Sequence, residues 1–242
     1  YSSAASDVYK RQDGHCEASQ IEAGGDVIIR KGCQGKGLGK IIAGKSIVGQ
    51  FFESAVLTAG KDVQATYLLN CQLKANGKLL VEGRKGVIIG GKTCAKLGVS
   101  CNGIGNIAEI ATVVSVGIDK EDMTAYQELQ KKIEQTQAEL QTCENGLNKL
   151  MANPVHDEKV SMMIQRLTRA VYTLKSSRKE LFSERDAQME QMTKQKEARI
   201  QVSGRVYPGT LLFLNEDPFA IKEIYNNVEF VKHDNRIDTL AH

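Results

Sequence analysis

"GKIIAGKS", residues 39–46, fits the pattern G-x-x-x-x-G-K-[ST] at every fixed position. In nucleotide hydrolases that pattern is a Gly-rich turn after a strand. It opens into a helix whose first amides hold phosphate. Here the variable positions are Lys40, Ile41, Ile42 and Ala43, and two adjacent β-branched residues favour an extended chain over a phosphate-wrapping loop. The following "IVGQFFESAVL" has no amphipathic helical spacing. The Gly-Lys pair also recurs, in "LTAGKDV" (57–63), "LKANGKLLV" (73–81) and "IIGGKTCA" (88–95). The pairs begin at Gly44, Gly60, Gly77 and Gly91, at spacings of 16, 17 and 14, and those at Gly60 and Gly77 lack the other fixed positions. A repeat explains all four copies, whereas a nucleotide site leaves those at Gly60 and Gly77 unexplained.

A period of this length is too short for a helical repeat and suits one coil of a β-solenoid. Short strands joined by turns stack coil on coil, inward apolar side chains meet the same position in the next coil, and glycine supplies tight corners. The expected fold is therefore mainly β: a single-stranded parallel β-helix over residues 13–118. "GCQGKGLGK" (32–40) reads as a coil corner. Composition agrees, with 22 Gly against 3 Pro and no Trp. This segment is also the basic one. Residues 25–118 carry 12 Lys/Arg against 5 Asp/Glu, a net of +7 within a chain of +3. If the coils are in register, Lys45, Lys61, Lys78 and Lys92 form a ladder. It is either a solvated row that discourages edge pairing or a basic strip for an anionic partner such as a membrane surface or an acidic protein. Nucleic acid fits least, because no aromatic residues are interleaved for base stacking.

The pattern changes at Asp119. Between 119 and 199 only Gly146 remains of the glycines, and 14 basic residues balance 14 acidic ones. Apolar residues at Tyr126, Leu129, Ile133, Leu140, Leu147 and Leu150, with Thr136 and Cys143 between, alternate steps of three and four. That is the seam of a coiled coil. Asn153-Pro154 breaks it, and a second seam runs through Val160, Ile164, Leu167, Val171, Leu174 and Leu181. Arg178 and Arg185 interrupt this seam, and Met189 and Met192 are expected to continue it. Residues 119–199 are thus expected to be a long antiparallel coiled-coil hairpin inserted into the solenoid. From residue 200 the alternation of strands returns at Ile200, Val202 and Val206, with a turn at Pro208-Gly209. A last hairpin is expected with Asn226-Asn227 at its turn, so that residues 200–242 pack as strands on the solenoid.

Residues 7–12, "DVYKRQ", resemble the translated end of a transposon used in sequencing-library preparation. Residues 1–12 are set aside as an adapter artefact, and the natural N-terminus is expected to be missing. Cys16, Cys33, Cys71, Cys94, Cys101 and Cys143 include no C-x-x-C, and His15, His156, His233 and His242 do not cluster with them. No metal site, cofactor site or catalytic constellation is expected, and the thiols read as reduced and partly buried. No apolar run reaches the length of a membrane span.

The order of these features resembles the flagellar assembly protein A (FapA) family. The resemblance rests on the Gly-rich solenoid with "AGKDV" corners and on "KGVIIGGK" (85–92). It rests also on the charged helical hairpin directly after "TVVSVGID" (112–119) and on "VSGRVYPGT" (202–210) beyond it. The resemblance implies a bacterial cytoplasmic, non-catalytic protein of flagellar assembly or placement, with flagellar or polar protein partners and no catalytic residues. The leading expectation is a scaffold whose hairpin docks a partner. The alternative is a self-associating or membrane-surface element of cell organisation. A nucleotide enzyme acting through residues 39–46 is the last.

Overall fold

Ala43, the residue before the opening Gly-Lys, lies in register with Ala23 on one side and Ala59 on the other. The column continues through Ala75, Ala95, Val116 and Leu214, all buried. A second buried column runs Val27, Ile47, Val63, Leu79, Val99 and Ile200. A third runs Cys16, Cys33, Phe52, Leu68, Ile88, Ile104 and Val206. Each pairing along these columns is parallel, so the chain winds as a β-solenoid. Its core is these inward columns, filled by aliphatic side chains with Ala at the tight corner.

The computed structural model describes residues 9–152, 157–234 and 236–241. The strands of the first coils are β1 (Tyr9–Gln12), β2 (His15–Glu17), β3 (Gln20–Ala23), β4 (Asp26–Ala43) and β5 (Ile47–Ala59). Then come β6 (Val63–Ala65), β7 (Tyr67–Ala75), β8 (Lys78–Val81), β9 (Val87–Ala95), β10 (Gly98–Ile104) and β11 (Thr112–Val116). Helices α1 (Lys120–Met151) and α2 (Glu158–Lys196) follow. The strands return as β12 (Ile200–Val206) and β13 (Thr210–Leu214), which extend the coils in parallel on β10 and β11. The last three, β14 (Asp217–Ala220), β15 (Tyr225–His233) and β16 (Arg236–Ala241), pair antiparallel and end the stack. The fold is therefore mainly β, a solenoid into which two helices are inserted before the strands return.

The coils are not equal. Val63 lies 16 residues after Ile47 and Leu79 16 after Val63, but Ile47 lies 20 after Val27 and Val99 20 after Leu79. The extra residues are extruded at corners. Between Gln34 and Gly39 the register slips against Glu53 and Ala55, and the slip pushes Leu38 out to 73% exposure. This is the "GKGLGK" stretch, which the sequence marks as a coil corner.

Tyr9–Gln12, which the sequence reading sets aside, pairs in parallel with Asp26–Ile29, whereas residues 1–8 lie outside the described ones. The expected turn at Asn226-Asn227 is not one. Both residues lie inside β15, where Asn227 takes φ +46° beside a register slip of β15 on β12. A left-handed Asn is accommodated by a bulge as well as by a turn. The reversal into β16 comes at Asp234, and Asn235 lies outside the described residues. So do the expected helix breaker Asn153-Pro154, His156 and His242.

Two compact units are distinguished: Lys120–Met192, and the remainder of the chain, with Thr193 onward joining the solenoid. Within the helical unit, Glu144 of α1 pairs with Lys175 of α2 at 2.8 Å, and Leu167 of α2 packs over Gly146 of α1. The two contacts run in opposite chain directions, as in an antiparallel pair. Asp157 caps α2 by accepting the Val160 N–H at 2.8 Å.

Candidate functional site

Residues 39–46 make no phosphate loop. Gly39 to Ala43 are strand within β4, Ile41 and Ala43 point into the core, and β5 rather than a helix begins at Ile47. The amides that would face a phosphate are spent between coils. Gly44 N–H donates to Ala23 O at 2.8 Å and Lys45 N–H to Gly25 O at 3.1 Å.

The same hydrogen bonds show what the glycines are for. Gly60 N–H donates to Ala43 O at 2.9 Å, and Lys61 N–H to Lys45 O at 2.9 Å. A Cβ on Gly44 would stand 2.8 Å from the carbonyl carbon of Gly24, and one on Gly60 2.9 Å from that of Gly44. Backbone approaches backbone where a side chain would begin, so the Ala-Gly corner is a packing requirement.

The structure brings Lys45 and Lys61 together, exposed and stacked coil on coil. Lys78 is offset by one position. Gly77 continues the Lys45–Lys61 column, and Lys78 lies over Asp62. Lys92 lies on another strand, in register with Gln72 and Val113. The coils carrying Ile47, Val63 and Leu79 repeat at 16 residues, so Lys78, 17 after Lys61, falls one position out, and Lys92 falls on a different side of its coil; the four lysines do not form one column. The corner instead holds acids that the sequence reading passed over. Asp26 Oδ1 accepts the Ser46 N–H at 2.9 Å and Asp62 Oδ1 the Lys78 N–H at 2.7 Å, each tying its coil to the next. "GDV" at 25–27 and "KDV" at 61–63 were the available signal: Asp placed immediately before an inward Val.

The most elaborated part of the solenoid is the root of the helical insertion. The corner position held by Gly44 and Gly60 is taken further up by Asn76, Lys96, Gly117 and Asn215. Asn215 and Glu216 have φ of +51° and +72°, the two-residue turn that joins β13 to β14. That turn aims the Asn215 side chain at both ends of the insertion. Its Oδ1 accepts the Ile118 N–H at 2.9 Å, and its Nδ2 donates to Lys196 O at 3.2 Å. Gly117 has φ +88°, and a Cβ there would meet Asn215 Cγ at 2.8 Å and Gln195 O at 3.1 Å. Beside it Lys96, only 6% exposed, pairs with Asp119 at 3.9 Å, and Lys74 reaches the same carboxylate at 4.0 Å. Two cations on one half-buried carboxylate fix Asp119, the last residue before α1.

In α1, Leu129, Ile133 and Leu140 are buried, and Tyr126, Thr136, Cys143, Leu147 and Leu150 half-buried. In α2, Val171 is buried, and Val160, Ile164, Leu167, Leu174 and Leu181 are half-buried. Arg178, Arg185, Gln188 and Met192 are half-buried at the same alternating steps, whereas Met189 is 50% exposed. Long polar stems can occupy seam positions because their aliphatic part packs while the head reaches water.

None of the six cysteines is in a disulfide. Cys16 and Cys33 are in register and share a hydrogen bond, which together with burial holds the Cys33 thiol far above its usual range. Burial also raises Cys71, and pushes Cys101 up to about 12. Thiols held protonated in this way are poor nucleophiles. Among the described residues no group of three His, Cys, Asp or Glu could hold a metal ion, and no helix is long and apolar enough to cross a membrane. A cleft of about 590 Å³ beside β8 and β10 is lined by Lys78, Ser100, Lys194, Glu197, Arg199 and Gln201 among aliphatic residues. Its Arg199 is already paired with Glu229 at 3.0 Å.

No curated protein and no solved structure matches the chain significantly. One family does match, over nearly the whole solenoid, the inserted helices and the returning strands. Over residues 11–237 the chain fits the Flagellar Assembly Protein A β-solenoid domain, and it belongs to the FapA family.

Proposed function

We propose that this chain is a non-catalytic scaffold of flagellar assembly in the bacterial cytoplasm, with the solenoid as a rigid platform and the inserted helices as the element that docks a protein partner. The observation that carries the reading is the anchoring of the insertion. A single side chain, Asn215, holds Ile118, two residues before α1, and Lys196, the last residue of α2, and the pairing of buried Lys96 with half-buried Asp119 fixes the entry. An insertion that only filled a corner, like the extruded loop at residues 35–38, would need no such fixing. The membership of a family named for flagellar assembly supplies the process.

The test is complementation in a host lacking its own copy. Lys131 and Lys132 on α1, and Arg166 and Arg169 on α2, are exposed. Reversing either pair to Glu is expected to leave thermal unfolding unchanged, since exposed charges contribute little to stability. At least one of the two reversals is expected to abolish flagellation. Normal flagellation with both reversed pairs refutes the docking role.

A further inference from the structure

The third inward column of the solenoid opens with two cysteines. Cys16 of β2 lies in register with Cys33 of β4, and both side chains point into the core, 1% and 0% exposed. Further along, the column holds Phe52, Leu68 and Ile88, so the position itself asks only for an apolar side chain. No other cysteine is in register with a second one. Cys71 lies opposite Gly91, Cys94 opposite Lys74 and Ser115, and Cys101 opposite Val81 and Val202, while Cys143 is in α1. Neighbouring strands stand about 4.8 Å apart, within the roughly 4.4–6.8 Å over which a disulfide joins two Cα atoms. The hydrogen bond shared by Cys16 and Cys33 already holds the two sulfurs against each other. It also separates their roles. Accepting from the Cys33 S–H holds Cys16 below its ordinary thiol range, against the opposing effect of burial, while Cys33 is held above its own. Cys16 is thus the sulfur that ionises, and the thiolate is the form that meets an oxidant.

We infer that Cys16 and Cys33 are a redox pair, which a peroxide oxidises to a disulfide that staples the coil of β2 to the coil of β4. The Cys16 thiolate attacks one oxygen of hydrogen peroxide. An S–O bond forms and the O–O bond breaks, leaving a sulfenic acid on Cys16 and a hydroxide that takes up the proton Cys16 released. The Cys33 sulfur then attacks the Cys16 sulfur. The S–S bond forms, the S–O bond breaks, and the Cys33 proton leaves with the hydroxide as a second water. Two thiols and one peroxide thus give one disulfide and two waters, and the electron pair passes from sulfur to oxygen. Exchange with a small thiol reverses the change.

Access follows from the place of the pair in the stack. The strand β2 is three residues long and, among the described residues, pairs with β4 alone. Beyond it, Ala18 N–H donates to Gln34 O and Lys40 N–H to Ser19 O, both at 3.0 Å. A short segment held from one side opens locally at far lower cost than the whole fold. Opening admits the oxidant, and the disulfide then opposes the next opening, so oxidation locks this coil.

The test treats the full folded chain with a small excess of hydrogen peroxide. Remaining thiols are then trapped with N-ethylmaleimide in urea, and the peptides are mapped by mass without reduction. One intrachain link is expected, Cys16 to Cys33, with Cys71, Cys94, Cys101 and Cys143 alkylated. Hydrogen exchange at the Ala18 and Lys40 amides should slow by roughly tenfold or more in the oxidised chain and recover with dithiothreitol. In Cys33→Ala, with its fold checked by circular dichroism, Cys16 should pass on to sulfinic acid, because the thiol that resolves the sulfenic acid is gone. If that variant does not fold, the wild-type map and exchange decide alone. A wild-type chain that keeps both thiols under peroxide overturns the inference and leaves the pair as core filling. So does a disulfide between any other two cysteines, or exchange at Ala18 unchanged by oxidation. A Cys16–Cys33 bond that forms in urea but not in the folded chain overturns it equally.

Discussion

Replacing Gly60 with Ala tests the corner packing on which the solenoid rests. The added Cβ would run into the carbonyl oxygen of Gly44 and lie 2.9 Å from its carbonyl carbon, and the obstacle is backbone of the preceding coil, which has no rotamer to change. Ordinary carbon contacts begin near 3.5 Å, so the coils must separate locally by roughly half an ångström or more. Two coil-to-coil hydrogen bonds bracket the site, Gly60 N–H to Ala43 O and Lys61 N–H to Lys45 O, both 2.9 Å. Straining both costs about 1 kcal/mol each, and overpacking adds roughly another 1–2 kcal/mol. The expected loss is about 3 kcal/mol, or some 6–12 °C in Tm for a unit of this size. Gly146→Ala is the matched control. Its Cβ meets only Leu167 at 3.7 Å, and Gly to Ala within a helix gains about 0.5–1 kcal/mol. Thermal melts followed by circular dichroism should thus move in opposite directions, the β signal falling for Gly60→Ala and the helical signal rising for Gly146→Ala. A Gly60→Ala protein melting within about 2 °C of wild type would refute the close-approach argument.

Asn215→Ala removes both clasp bonds and leaves a non-Gly, non-Asn residue at φ +51°. A loss of about 2–3 kcal/mol is expected, together with faster hydrogen exchange at the Ile118 amide; unchanged exchange there would dismiss the clasp. Cys101, pushed up to about 12 by burial, keeps its proton in the folded state where the unfolded thiol would ionise. Its contribution is intact below the unfolded pKa near 9 and is lost as pH rises towards 12. Stability should therefore decline through that window, and Cys101→Val should decline less steeply; parallel pH curves would contradict this. Lys45→Ala should change stability by no more than about 0.5 kcal/mol, and neither it nor wild type should bind ATP or GTP in calorimetry. Binding that Lys45→Ala abolishes would reinstate the nucleotide reading.

The legibility of this chain in its sequence differs between its parts for physical reasons. Helices announce themselves through an unbroken period, and the steps through Leu129, Ile133 and Leu140 reappear as the buried line of α1. The solenoid is legible as a class, because Ala-Gly corners and alternating apolar residues recur. Its register is not. A coil tolerates extruded residues at any corner, such as those around Leu38, without disturbing the inward columns. Gly44 and Gly60 are therefore true equivalents. Gly77 is one position off and Gly91 is on another strand, and the lysines that follow them inherit the same scatter. The better marker was the small residue ahead of the corner, since Ala23, Ala43, Ala59, Ala75 and Ala95 do share a column. Asn215 was beyond reach, because its partners Ile118 and Lys196 lie 97 and 19 residues away in sequence. The left-handed Asn227 was legible as a residue type but not as a bulge, which depends on what β12 does opposite it.

On the proposed function, the helices are a separable docking element on a self-sufficient platform. Excising residues 120–192 and joining Asp119 to Thr193 through a short Gly-Ser linker separates the two. The excised protein should keep its β signal and unfold cooperatively, since the inward columns lie wholly outside the excised segment. The decisive measurement is flagellation of cells carrying that folded protein as their only copy. Flagella are expected not to be restored. Normal flagellation would contradict it and move the function to the solenoid itself.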